Sequence, residues 1–76
     1  MAIKFNISSL TNEQELVEIS IPQDKSHILS SFLEKLRETR PDIDLTNCFY
    51  SQNLQHNIRE CETVERNDVI FIFKQN

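Results

Sequence analysis

The sequence predicts an α+β domain, a mixed sheet of four to five strands packed on one helix, with the last strand central. Three observations carry this. The chain closes on Val69-Ile70-Phe71-Ile72-Phe73, five consecutive β-branched or aromatic residues behind the polar pair Asn67-Asp68. A short apolar run after a turn signal marks a strand occupied on both faces, whereas a strand with one wet face alternates. Two alternating runs open the chain, and one stretch near its middle has the period of a helix.

Ile3, Phe5 and Ile7 alternate with Lys4, Asn6 and Ser8, a period-two strand. Residues 8–15 are polar and read as a hairpin loop. Val17, Ile19 and Ile21 then alternate with Glu18 and Ser20, and Pro22, which cannot donate to a ladder, ends that strand. So short a loop makes the pair antiparallel. Ile28, Leu29, Phe32, Leu33 and Leu36 then form one stripe of a helix. Asp24 or Ser26 is expected as its N-cap, and Arg37 and Arg40 complement its negative end. Pro41 pushes Arg40 out of helical geometry. The outward face, Ser30, Ser31, Glu34, Lys35 and Glu38, reads as solvated. Residues 41–47 form a polar connection pinned by Ile43 and Leu45, and residues 48–52 a third strand with Phe49 and Tyr50. Residues 53–66 suit a short strand and a turn anchored by Leu54, Ile58 and Val64. The expected core is Ile3, Phe5, Ile7, Val17, Ile19, Ile21, Ile28, Phe32, Leu33, Leu36, Ile70 and Ile72.

Seventy-six residues make one domain, 1–76, of which about 60% of the unfolded surface can be buried. A net charge of −4 with scattered Lys and Arg argues against a surface that tracks nucleic-acid phosphates. No apolar run approaches the roughly 20 residues that span a bilayer. The N-terminus lacks the charged and apolar regions of a signal peptide, so a cytoplasmic location is expected. Cys48 and Cys61 are then expected as thiols. The absence of glycine excludes phosphate-cradling loops and assigns left-handed turn positions to Asn or Asp.

No constellation of catalytic groups is visible. His27, Cys48, His56 and Cys61 are metal-ligand types without ligand spacing, so no metal is expected. His27 is placed in the first helical turn and His56 in a loop, both wet. A Cys–His nucleophile needs an orienting third group and a pocket. The chain is therefore expected to be no enzyme and to hold no cofactor. Glu60, Glu62 and Glu65 read as solvated surface, with the docking of a basic partner as the lesser reading.

The last strand raises the functional question. If Ile70 and Ile72 face the helix, Val69, Phe71 and Phe73 face away from it, joined by Tyr50 from the neighbouring strand and by Lys74 at the end. An apolar patch of this kind often marks a partner surface. Its alternatives are coverage by long polar neighbours and homodimerisation.

The element order, hairpin, helix, strand, irregular piece and strand, resembles a β-grasp. Residues 17–23 (Val17 to Gln23), the helix end Arg37-Glu38-Thr39-Arg40-Pro41 and the terminal stretch from Val64 to Phe73 are similar to ubiquitin-like β-grasp proteins. Within that superfamily the chain most resembles the sulfur-carrier branch, the small subunit of molybdopterin synthase and its relatives. The resemblance implies docking on a larger enzyme subunit or an adenylating enzyme through the apolar face of the last strand, where Phe71 and Phe73 match. Family members end in Gly-Gly, whose carboxylate becomes a thiocarboxylate; this sequence ends Lys74-Gln75-Asn76. What carries over is non-covalent binding. A tail-truncated carrier acting as an accessory subunit and a self-associating structural domain are the alternatives.

Overall fold

In a computed structural model, which describes residues 1–75, seven elements follow one another. They are β1 (Ala2–Asn6), α1 (Ser8–Thr11), β2 (Leu16–Ser20), α2 (Leu29–Thr39), β3 (Cys48–Gln52), β4 (His56–Ile58) and β5 (Val69–Lys74). The five strands form one mixed sheet in the order β2-β1-β5-β3-β4. The last strand is central, parallel to β1 and antiparallel to β3.

Alternation decides what each strand gives the core. Ile3, Phe5, Ile19, Tyr50, Ile58, Ile70 and Ile72 point to one face and are buried there. Leu29, Phe32, Leu33 and Leu36 recur at i, i+3, i+4 and i+7 on α2 and close that face. Leu45 and Val64 reach the same core from the connections, and Ile43 packs against it half-buried. Two expected core residues sit at its margin: Val17 is only half-buried on edge strand β2, and Ile28 precedes the first turn of α2 rather than lying in it.

The helix starts differently from expectation. Neither Asp24 nor Ser26 caps it; Ile28 is the N-cap residue and offers no side-chain acceptor. The chain between β4 and β5 replaces the cap with backbone carbonyls. Leu29 N–H donates to Glu62 and Ser30 N–H to Glu60, both at 2.9 Å. Val64 N–H returns a bond to the His27 carbonyl, and Ile28 bridges Thr63. Two of the four free N–H groups of the helix start are satisfied in this way. The irregular segment is thus the lid on the helix, a role that its polar sequence hides. His27 lies ahead of the helix, not in its first turn, and its Nε2 is buried without a partner. His56 lies in β4, not in a loop.

The hairpin loop after β1 contains the one-turn helix α1, ended by Asn12 in the left-handed region at φ 62°. Among the described residues five have positive φ: Asn12, Asn47, Asn53, Leu54 and Asn67. Four are asparagine, as a glycine-free chain requires. The exception, Leu54, sits at the β3–β4 tip and is 62% exposed.

Candidate functional site

The helix α2 packs on one face of the sheet, and the residues of opposite parity stand on the other. Register places Lys4 beside Val69 and Asn6 beside Phe71. On the other side of β5, Phe49 stands beside Phe73 and Ser51 beside Phe71. Val69, Phe71 and Phe73 therefore share the open face, where all three are half-buried. The ring centroids of Phe49 and Phe73 lie 5.3 Å apart and those of Phe71 and Phe73 6.5 Å, with interplanar angles of 28° and 11°. Three phenyl rings thus stack in one row across two strands. Stacked pairs at these separations gain about 0.5–1.5 kcal/mol beyond area burial. The rings cover one another in part, and polar neighbours do not seal them: Phe49 remains 38% exposed.

Two expected members of the surface are elsewhere. Tyr50 points into the core and is 7% exposed, since its register partners Ile72 and Ile58 are inward residues. Phe49, adjacent in sequence and opposite in parity, takes its place. Ile58 was the available signal: an isolated apolar residue after the Asn53-Leu54 tip pairs with Tyr50 and drags it inward. Lys74 lies at the sheet rim, not on the open face. Its Nζ donates to the Asp44 carboxylate at 3.0 Å and to the Thr46 carbonyl at 2.7 Å. Hydrogen bonds from Thr46, then from Lys74, hold the Asp44 carboxyl well below the usual carboxylate range.

The turn before β5 holds this face in register. Asp68 is buried, and its carboxylate accepts from Gln52 Nε2 at 2.7 Å, Asn53 Nδ2 at 3.0 Å and Glu65 N–H at 2.8 Å. Burial opposes its ionisation, but the bonds from Glu65, Asn53 and Gln52, aided by nearby His56, outweigh it and hold the carboxyl below its ordinary value. Asn53 exchanges two further bonds with Val69: Val69 N–H donates to Asn53 Oδ1, and Asn53 N–H to the Val69 carbonyl, both at 2.8 Å. The same turn ties in β1, since Lys4 N–H donates to the Asp68 carbonyl and Asn67 N–H to that of Ala2. Asp68 thus joins three strands at the point where the row of rings begins.

Among the described residues no group of three or more His, Cys, Asp or Glu side chains is placed to hold a metal ion. Both cysteines are free thiols. Burial pushes the Cys48 thiol up, so less thiolate is present for nucleophilic chemistry. Glu60 and Glu65 are exposed, while Glu62 folds back to accept the Arg59 N–H at 2.6 Å. Among the described residues no helix is long and apolar enough to cross a membrane. Compared with known proteins, the chain matches no family model, no curated protein and no solved structure.

Proposed function

We propose that this chain is a non-catalytic, ubiquitin-like β-grasp module that docks a larger protein through the open face of its sheet. The strand order with β5 between β1 and β3, and one long helix across one face, supports the β-grasp reading. The observation that carries the function is the row Phe71, Phe73 and Phe49, left partly wet on the face opposite α2. Sealing each ring is worth on the order of 1 kcal/mol, since full burial of a Phe yields roughly 1.5–3 kcal/mol and part is already realised. Three rings alone do not make a tight complex after the cost of association. The partner therefore also contacts the polar flank formed by Lys4, Asn6, Glu18 and Ser20. Phe71→Glu places a charge at one end of the row, between Val69 and Phe73 on β5. The variant is expected to keep a native circular-dichroism spectrum and cooperative unfolding while losing partner capture. Global unfolding of the variant, or undiminished capture, counts against the reading. Sedimentation showing concentration-dependent dimers that Phe71→Glu dissolves identifies self-association through the same face instead.

A further inference from the structure

Asn53 N–H donates to the Val69 carbonyl and Gln75 N–H to that of Asn47, so the odd-numbered residues of β3 are the ones bonded to β5. Cys48 and Lys74 stand opposite each other in the same register and form one of the intervening, non-hydrogen-bonded pairs. Side chains in such pairs lie closest, with Cβ atoms about 4.5–5.5 Å apart. Both share the parity of Tyr50 and Ile72, on the helix side of the sheet. There they converge on the same two carbonyls. Lys74 Nζ donates to that of Thr46 at 2.7 Å and to that of Asp44 at 3.5 Å. The Cys48 thiol donates to that of Thr46 at 3.6 Å and to that of Asp44 at 3.8 Å. A sulfur and an amine nitrogen held on shared acceptors make a pair of nucleophiles that the docking face does not use.

The thiol is half-buried and lines a groove of about 340 Å³ with Phe49, Asn57 and Arg59, which admits a small reagent. We propose that Cys48 and Lys74 form an acyl-relay site, in which the thiol takes an acyl group from a small thioester and passes it to the lysine amine. In the first step the Cys48 thiol loses its proton to solvent and the thiolate attacks the thioester carbonyl. A new S–C bond forms and the donor's thiolate leaves. In the second step Lys74 gives up a proton to solvent and its amine attacks the same carbonyl. An N–C bond forms, the S–C bond to Cys48 breaks, and the Cys48 thiolate takes a proton back. The sum is one amide, one free donor thiol and one released proton. Burial lowers the share of Cys48 thiolate, but a more basic thiolate is the better nucleophile, which offsets part of that loss. Proximity drives the second step, because amine and acyl carbon already held together need no bimolecular encounter. The site is separate from the row of rings and stands without it.

Lys4, Lys25 and Lys35 serve as internal standards. Among the described residues Lys74 alone of the four lysines is in an ion pair, with Asp44 at 3.0 Å. An ion pair shields an amine, so direct acylation would spare Lys74 and a relay would select it. The probe is the small acetyl thioester S-acetyl-N-acetylcysteamine at mildly alkaline pH, with acetylated sites mapped by peptide mass spectrometry. Lys74 is expected to be acetylated about tenfold or more faster than the other three lysines. Cys48→Ser is expected to bring it down to their level or below, and Cys61→Ser to leave it unchanged. Lys74→Arg blocks the second step and is expected to accumulate a hydroxylamine-sensitive acetyl group on Cys48. If Cys48→Ser fails to fold, Lys74→Arg and the map of the parent protein carry the test. Acetylation of Lys74 no faster than that of the other lysines overturns the proposal. So do an unchanged Lys74 rate in Cys48→Ser and a Cys48 thioester that persists beside unmodified Lys74.

Discussion

The sheet's two faces come from the same five strands, yet only the one turned to α2 is sealed. There, every strand contributes large side chains, and four residues of the helix fill the space between them. On the opposite face β1 and β2 present Lys4, Asn6, Glu18 and Ser20, with Leu16 at the end of β2, while β5 and β3 present Val69, Phe71, Phe73 and Phe49. Half of that face is therefore made for water and half is not. The difference shows that the apolar character of β5 exceeds what a central strand needs for one helix. Stability accounts for Ile70 and Ile72, and it leaves the rings on the other side without an explanation inside the molecule.

Substitutions that test this contrast differ in size. Phe32→Ala opens a cavity under a fully buried ring and is expected to cost about 3–5 kcal/mol. That is most of the stability of a domain this small, so loss of the cooperative thermal transition is expected. Phe73→Ala removes a half-wet ring and is expected to cost on the order of 1 kcal/mol, visible as a shifted urea midpoint at unchanged slope. If the two costs prove equal, the open face is part of the core and the contrast fails.

Asp68→Ala falls between them, at about 2 kcal/mol, because Gln52, Asn53 and the Glu65 N–H lose one acceptor together. Its pH dependence gives an independent check. The folded carboxyl titrates below its unfolded value of about 3.9, so its contribution is fully present above that pH and disappears as pH falls through the folded value. The variant should therefore lose less stability than the parent on acidification below about pH 4. Parallel urea midpoints from pH 5 to pH 2 would contradict that assignment. The smallest expected effect has the opposite sign. Leu54→Asn relieves a branched side chain at φ 59° and should stabilise the fold by up to about 1 kcal/mol, raising the melting temperature.

The parts of this fold that can be read from the chain are those governed by a simple period. Ile3, Phe5, Val17, Ile19 and the stripe Phe32, Leu33 and Leu36 announce their elements, and the unbroken run from Val69 to Phe73 announces a central strand. What stayed hidden depends on register or on long-range backbone bonds. Whether Phe49 or Tyr50 shares a face with Phe73 is a one-residue question that period alone cannot answer. The start of α2 is completed by carbonyls thirty or more residues later, so a local search for a capping side chain finds the wrong residues. Asp68 looks like a solvated turn residue until the tip of the β3–β4 hairpin is seen to fold onto it.

The position of β5 also bears on how the molecule is assembled during synthesis. It is made after the other four strands, and among the strands it alone bridges the β1–β2 hairpin and the β3–β4 hairpin. Before it emerges, each hairpin is an isolated two-stranded ribbon, marginal by itself in water. All five strands must therefore leave the ribosome before the sheet can close. The nascent hairpins meanwhile carry unpaired strand edges, a hazard for aggregation that the scattered charges of Lys4 and Glu18 help to limit.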